Sequence, residues 1–143
     1  MDVAELVENF SLFSDWSDRY QYLIDLGRAL PPMDDADKTE ANRVKGCMSQ
    51  VWIKLRVDDG RIDFDGDSDS SIVKGLVAVL RVVFVGQAAK DVRKVDLEGV
   101  FGQLGLAEHL SPNRRNGFFS MVELIRSLAD KGPSAFSARE SRE

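Results

Sequence analysis

Cysteine and histidine are almost absent from this sequence, which contains one of each, Cys47 and His109. A lone cysteine cannot close an internal disulfide bond. A structural zinc site usually takes about four Cys or His ligands, and an iron–sulfur cluster is held by several thiolates. The chain by itself therefore supplies neither kind of centre. A single unpaired thiol is also typical of a protein from a reducing compartment.

The sequence has no excess of positive charge. Lys and Arg total 19 against 24 Asp and Glu, which gives a formal net charge of −5 at pH 7. Nucleic acids and anionic membranes attract clustered Lys and Arg, so we expect neither as the main partner. A small acidic protein with both signs of charge on its surface is more readily interpreted as a partner of other proteins.

Long hydrophobic runs are missing as well. The most apolar stretch, residues 72–85, is interrupted by Lys74, Gly75 and Arg81, and it is shorter than the roughly 20 residues that span a bilayer. Residues 1–5 contain no basic segment leading into an apolar run, so no signal peptide is expected. These features predict a cytoplasmic protein. A chain of 143 residues is long enough to bury one hydrophobic core without metals or disulfides.

The clearest local structure is a β-hairpin over about residues 50–65. Apolar residues alternate with polar ones from Val51 to Val57, which is the two-residue period of a strand, and Asp59-Gly60 is a strong hairpin turn. Folding the chain at this turn gives two apolar pairs on one face and two charged pairs on the other: Val57 with Ile62, Leu55 with Phe64, Arg56 with Asp63, and Lys54 with Asp65. A register shifted by one residue would destroy both patterns, so the pattern specifies the pairing.

Helical patterns flank the hairpin on both sides. One helix is predicted to begin near Ser14 or Asp15 and to run to Leu30, where Pro31-Pro32 stops it. A short helix is predicted to start at Asp96, and a longer one at Ser111-Pro112. Residues 67–70 offer N-caps for the apolar helix that runs to Val85.

The order of these elements predicts an α+β fold, a small antiparallel sheet of two or three strands packed against helices. Residues 42–46 are the candidate third strand. We expect a single domain over residues 1–133 and a flexible tail over 134–143.

The segment around Cys47 has two interpretations when only its composition is considered. Free cysteines are commonly buried and act as small hydrophobic residues. Arg43 and Lys45, however, lie at a spacing that could put cations beside the sulfur and lower its pKa from about 8.5. A thiol-dependent hydrolase would in addition need a histidine near the thiolate and a third group to orient it. His109 is available, although a lone histidine before a helix is more often a packing or capping residue.

Four separated motifs, in order, resemble those of the SufE-type sulfur acceptors, the partner proteins of cysteine desulfurases in iron–sulfur cluster assembly. The resemblance covers about residues 10–129, and its motifs are Asp15-Trp16, Arg19-Tyr20, Tyr22-Leu23-Ile24-Asp25-Leu26-Gly27 and Leu30-Pro31; then Arg43-Val44-Lys45-Gly46-Cys47-Met48-Ser49-Gln50-Val51-Trp52; then Gly66-Asp67-Ser68-Asp69 and Ile72-Val73-Lys74-Gly75-Leu76; and finally Glu108-His109-Leu110-Ser111-Pro112-Asn113-Arg114 with Gly117. Any one of them alone would be a weak signal. The fold that the resemblance implies is the SufE/IscU-like form of the α+β class.

The resemblance implies a specific chemistry. Cys47 would take the terminal sulfur of a persulfide on a pyridoxal-phosphate-dependent desulfurase, hold it as its own persulfide and pass it to an iron–sulfur scaffold or another acceptor. The protein would stimulate turnover of the desulfurase, would not itself be an enzyme, and would need no cofactor. The family's resting loop tucks the sulfur into an apolar hollow, whose candidate walls here are the apolar face of the hairpin and the helix after Ser70.

The resemblance also implies roles for residues around the thiol. The loop and partner-binding residues would be Lys45, Gly46, Met48, Ser49, Gln50, Asp69 and Arg114. The family usually has glutamine where this chain has Met48, and a thioether cannot replace the hydrogen bonds of an amide. Asp69 has the simpler interpretation of a helix N-cap, and Arg114 that of a surface cation.

Two alternative functions remain open at this point. The first is a thiol-dependent hydrolase or transferase that uses Cys47 with His109. The second is an interaction module that binds a desulfurase without carrying sulfur, and this module would keep its function if the thiol were lost.

Overall fold

The computed structural model describes residues 1–131 of the chain, so the predicted tail over 134–143 lies outside the described residues. Within the described part, six α-helices surround one hairpin: α1 (Val3–Ser11), α2 (Trp16–Arg28), β1 (Val51–Asp58), β2 (Arg61–Ser68), α3 (Ser71–Phe84), α4 (Leu97–Gln103), α5 (Leu106–His109) and α6 (Pro112–Asp130). Short 3-10 turns at Asp35–Asp37, Glu40–Asn42 and Ala89–Lys94 complete the path. The predicted α+β class is confirmed.

The hairpin has the register that its sequence predicts. The antiparallel pairs include Val57 with Ile62 and Leu55 with Phe64; the half-buried Val57 packs against the core, and the other three side chains are buried. On the charged face, the ion pairs do not simply follow the cross-strand pairing. Arg56 forms ion pairs both with Asp63, which is directly opposite, and with Asp65, at 3.0 and 2.7 Å. One guanidinium can donate to two carboxylates because its donors are arranged as a fork. One arginine side chain therefore contacts two aspartates of β2 that lie on the same face of the hairpin.

The candidate third strand over residues 42–46 does not form, so the sheet has the lower of the two expected strand numbers. Within residues 1–131 the sheet has two strands, and the segment before the cysteine contributes one isolated bridge between Arg43 and Trp52. A hydrogen bond of 2.8 Å from the Val44 amide to the Val51 carbonyl accompanies this bridge. The chain leaves the sheet immediately afterwards because Gly46 adopts a φ of 85°, which an extended strand does not contain.

Helix α3 lies at the centre of the fold, and nine of its residues are buried. One face contacts the sheet, and α2 packs so closely on the other side that a Cβ atom at Gly75 would lie 2.3 Å from the Leu23 carbonyl oxygen. The helix is apolar on both packed faces, while its half-buried Lys74 and Arg81 form ion pairs with Asp67 and Asp63. Its length is short of a bilayer, and no helix in residues 1–131 is long and apolar enough to cross a membrane.

Most helix starts match the sequence signals. Side chains of Asp15, Asp96 and Ser111 cap α2, α4 and α6, and Pro112 occupies the first turn of α6. The cap of α3 is Ser70, whose hydroxyl accepts a hydrogen bond from the Val73 amide. These caps satisfy amide groups that have no partner within the first helical turn.

Candidate functional site

Cys47 lies in a six-residue connection at the end of the hairpin opposite the Asp59-Gly60 turn. We call residues 45–50 the Cys loop. Its base is closed by the hydrogen bond between Val44 and Val51, both of which are buried. Its sharpest bend is at Gly46, where an added Cβ atom would lie 2.7 Å from the hydroxyl oxygen of Ser120 on α6. The loop therefore lies directly against α6, and a side chain at Gly46 would require the Ser120 hydroxyl to move.

Beneath the Cys loop lies a hollow of about 230 Å³ between α3 and α6. Its floor is apolar and comprises Val73, Leu76, Gly117, Phe118 and Met121. Its outer edge is mostly polar and comprises Cys47, Ser49, Ser111, Asn113 and Arg114, together with the apolar Met48. The wall predicted from the helix after Ser70 is confirmed. The wall predicted from the apolar face of the hairpin is wrong, because that face is covered by α3 and α6 takes its place beside the thiol.

The sulfur of Cys47 is half-buried and points at α6. Its thiol donates a hydrogen bond to the Gly117 carbonyl oxygen at 3.4 Å, and a Cβ atom at position 117 would stand 3.2 Å from the sulfur. Burial raises the pKa of the Cys47 thiol, because a thiolate is poorly solvated there. A carbonyl acceptor beside the sulfur also favours the protonated form. In this position the sulfur is a protected thiol and not an activated nucleophile.

The two cations near Cys47 in the sequence do not activate it. Arg43 and Lys45 each form an ion pair with Glu40, and both distances are 3.1 Å. Hydrogen bonds from Lys45 and Arg43 lower the pKa of the Glu40 carboxyl group. The suggested placement of these cations beside the sulfur is therefore not what the structure shows. Instead, the Glu40 carboxylate ties the N-terminal side of the Cys loop to the preceding 3-10 turn.

Asp69 secures the other side of the Cys loop. Its carboxylate accepts a hydrogen bond from the Gln50 amide at 3.1 Å, and its own amide donates to the Gln50 carbonyl at 3.2 Å. The N-cap interpretation of Asp69 is wrong, since Ser70 caps α3. The reciprocal bonds join the last residue of the Cys loop to the residue after β2. Asp69 is thus part of the loop's support although it lies 19 positions further along the chain.

Arg114 lies at the edge of the hollow, in the first turn of α6. Its side chain is exposed and has no ion pair or side-chain hydrogen bond among residues 1–131. Met48 also borders the hollow but is 82% exposed. The structure therefore brings Cys47, Met48, Ser49 and Arg114 to one opening, while Lys45, Gly46, Gln50 and Asp69 shape the loop around it.

His109 is engaged elsewhere. Its ring stacks on the ring of Trp16 with centroids 3.8 Å apart, and its backbone carbonyl accepts a hydrogen bond from the Tyr20 hydroxyl. It is not among the residues that line the hollow. The pair of groups that a Cys47–His109 hydrolase would need is not brought together, and the packing interpretation of His109 describes what the structure shows.

The sequence interpretation missed most of the hollow's walls on α6. The apolar spacing of Phe118, Met121, Val122 and Ile125 predicted a helix but gave no indication that its first turns would receive the thiol. Gly117 was noted only as part of the resemblance. A glycine in the early turns of a helix is too common a feature to indicate a cysteine 70 residues away. Within residues 1–131, no group of three or more His, Cys, Asp or Glu side chains is arranged to hold a metal ion.

Comparison with known proteins adds three findings. A family model described as "SufE: Fe-S metabolism associated domain" matches residues 4–129. The chain is 40% identical over 130 residues to an uncharacterized SufE-like protein of Rhizobium meliloti strain 1021, covering 88% of this chain and 93% of that one. It is also 40% identical over 129 residues to an uncharacterized SufE-like protein of Rhizobium etli, covering 87% of each.

A solved structure gives the fold independently. The solution structure of a hypothetical protein from Thermus thermophilus superimposes with a TM-score of 0.75, covering 92% of this chain and 96% of that chain. The sequences are only 21% identical, so this likeness concerns the fold alone.

Proposed function

The chain belongs to the SufE family, whose domain is associated with iron–sulfur metabolism, and we propose that it is a sulfur carrier that uses Cys47. In this proposal it accepts sulfur from a pyridoxal-phosphate-dependent cysteine desulfurase, stimulates turnover of that enzyme and delivers the sulfur to an iron–sulfur scaffold or another acceptor. It acts in the cytoplasm, carries no cofactor of its own and catalyses no turnover by itself.

The observation that carries the proposal is the position of the one thiol. Cys47 lies on a loop at the opening of an apolar hollow, with the exposed cation of Arg114 at the same opening. Thiol–persulfide exchange requires a thiolate that can reach the sulfur it attacks. Cys47 is half-buried beside this opening and is not enclosed in the core.

The proposed transfer needs only two thiols and one sulfur atom. The Cys47 thiolate attacks the terminal sulfur of the desulfurase persulfide, a new sulfur–sulfur bond forms on Cys47, and the bond within the donor persulfide breaks. The desulfurase cysteine leaves as a thiolate, and the proton lost by Cys47 is available to it. The number of sulfur–sulfur bonds is unchanged, so no external oxidant or reductant enters this step. Delivery to the acceptor repeats the same exchange with the roles reversed.

The resting geometry gives the carrier a protected state. Burial raises the pKa of the Cys47 thiol, so little thiolate is present at neutral pH and oxidation is slow. Partner binding would draw the loop away from the Gly117 carbonyl and expose the sulfur to solvent. Once the thiol is solvated, its pKa returns toward the ordinary value and exchange becomes faster.

The decisive experiment mixes the purified protein with a cysteine desulfurase and cysteine. Intact-mass spectrometry should show a species heavier by one sulfur atom, and the Cys47→Ser variant should show none, because serine is not ionised at neutral pH and cannot hold a persulfide. The variant should fold and still bind the desulfurase, since the binding surface includes more than the sulfur, and it should no longer stimulate turnover. Full stimulation by Cys47→Ser would favour a binding module that activates the enzyme without carrying sulfur.

A further inference from the structure

Met48 is an unusual neighbour for a protected thiol. Its side chain is 82% exposed although it directly follows the half-buried Cys47. The other large hydrophobic side chains exposed to a similar degree in residues 1–131 are Met1 and Leu12, which lie at or near the N-terminus and away from the hollow. Burial of an apolar side chain that is exposed to water lowers the free energy, so the hydrophobic effect favours loop conformations in which Met48 is buried.

The hollow beneath the Cys loop is the nearest place where Met48 can be buried. Cys47 and Met48 both border it, and its floor is formed by apolar side chains that include Leu76, Phe118 and Met121. Residues 47–50 lie outside regular secondary structure, so a change in loop backbone can reorient these two neighbouring side chains. In the structure described, the sulfur of Cys47 faces the hollow and Met48 faces solvent.

Sulfur transfer requires Cys47 to leave this position, and its departure enlarges an apolar hollow of about 230 Å³. An unfilled hollow would expose its floor to water. A methionine side chain is long, unbranched and flexible, and its sulfur packs well against aromatic rings such as that of Phe118. Gly46 immediately precedes the pair, and at a φ of 85° it is free to take other backbone conformations and to serve as the pivot.

We propose that Met48 is a positioning residue that acts through Cys47: its side chain enters the hollow when the sulfur leaves, and this exchange stabilises the loop conformation in which the thiol is exposed. The role in sulfur transfer rests on the proposed function. The exchange itself is a property of the isolated chain and can be measured without any partner protein.

The first test follows the alkylation of Cys47 by iodoacetamide in the isolated protein. Met48→Gln keeps the length of the side chain but makes it polar, so the exposed conformation loses its stabilisation and alkylation should slow by about tenfold, the factor produced by about 1.4 kcal/mol. Met48→Leu should remain within about twofold of the parent, since leucine and methionine have similar volumes and polarity. Rates at several pH values separate a change in thiol pKa from a change in exposure.

A matched control keeps this test specific. Leu12→Gln removes a side chain that is 74% exposed outside the site and should leave the alkylation rate unchanged. An unchanged or faster rate for Met48→Gln would overturn the proposal: the first result would make Met48 only a surface residue, and the second would make it a cover over the resting thiol.

The second test locates the Met48 side chain directly by NMR of protein labelled with 13C at the methionine methyl groups, of which there are four. A fluorescein maleimide attached to Cys47 is too large for the hollow and holds the sulfur outside. In this adduct the Met48 methyl should show a nuclear Overhauser effect to the buried Met121 methyl, while the Met1 methyl should not change. A Met48 methyl that stays in solvent in the adduct would contradict the exchange. Because neither test involves sulfur transfer, failure of the carrier function in the desulfurase assay would be seen separately.

Discussion

The two ends of β1 are closed by connections that use the same backbone device in different surroundings. Gly60 in the hairpin turn has a φ of 76°, and Gly46 in the Cys loop has a φ of 85°. An added Cβ atom at Gly60 would meet nothing within 4 Å, whereas one at Gly46 would lie 2.7 Å from the Ser120 hydroxyl. Space around Gly60 is therefore open, although its carbonyl oxygen accepts a hydrogen bond from the Ala89 amide at 2.9 Å, whereas Gly46 lies against α6.

This difference has a functional consequence. The turn end is held by backbone hydrogen bonds, since Gly60 and Ile62 are bonded to the segment 86–89. The Cys loop is held by a few separate contacts, which are those of Glu40 with Lys45, Asp69 with Gln50, and Cys47 with Gly117. A partner that competes for these contacts can release the loop without unfolding β1. We therefore expect the Cys loop, and not the turn, to be the end of the hairpin that a partner can displace.

The largest expected difference between the two ends is in the loss of stability when the glycine at each end is replaced by alanine. Gly60→Ala should destabilise the protein by about 1–2 kcal/mol, the cost of a left-handed conformation for a residue with a Cβ atom. Gly46→Ala should cost about 2–4 kcal/mol, because the contact with Ser120 adds to the same strain. Urea unfolding of both variants measures the difference.

A second mutation isolates the contribution of α6. In a Ser120→Gly background, the additional cost of Gly46→Ala should fall toward that of Gly60→Ala, while the cost of Gly60→Ala should stay the same. Equal costs for the two glycines in the parent background would mean that α6 does not shape the Cys loop.

Arg114→Ala should affect function more than folding. The guanidinium is exposed at the edge of the hollow and has no partner within residues 1–131, so its loss should change the free energy of unfolding by less than about 0.5 kcal/mol. We expect sulfur transfer from the desulfurase to slow by about tenfold, equivalent to about 1.4 kcal/mol. Arg28→Ala, at another exposed arginine, is the control and should transfer sulfur normally. A proportional loss of folding and transfer in Arg114→Ala would return Arg114 to a structural role.

Asp69→Ala tests the support of the Cys loop at its C-terminal side. The variant leaves the Gln50 amide without its carboxylate acceptor, and a hydrogen bond to a charged partner on a partly exposed loop stabilises by about 1 kcal/mol. Thermal unfolding should show this loss, and iodoacetamide should react faster with Cys47 because the loop opens more often. An intact alkylation rate in a destabilised variant would show that Asp69 supports the fold and not the loop.

The smallest expected effect is on the pH dependence of the free energy of unfolding, and it arises from the thiol at the Cys-loop end of β1. Burial raises the pKa of the Cys47 thiol in the folded state, so the associated stabilisation is complete below the ordinary thiol pKa of about 8.5 and is lost as the pH rises through the folded value. The free energy of unfolding should therefore fall from pH 7 to pH 10 more for the parent than for Cys47→Ser. Gly60→Ala, which alters the other end, should follow the parent. Parallel curves for the parent and Cys47→Ser would contradict a buried resting thiol.

Sequence periodicity and turn chemistry alone determined the hairpin, its register, and the starts of α2, α4 and α6. These features depend on residues that are close along the chain: alternation from Val51 to Val57, the Asp59-Gly60 turn, and the caps at Asp15, Asp96 and Ser111. A local pattern suffices there because the groups that satisfy one another are neighbours in sequence or directly across a short turn.

The surroundings of Cys47 were decided only by the tertiary structure. The sequence singled out the thiol, and the motifs around it led to the family. The partner of the sulfur, however, is the carbonyl of Gly117, the partners of Arg43 and Lys45 are the two oxygens of Glu40, and Asp69 binds Gln50 in place of capping α3. Each of these groups could form a similar contact with a different partner that is nearby in the sequence. The contact that forms depends on the packed positions of α6 and α3. Those positions are determined by burial of the whole core and not by any short stretch of the chain.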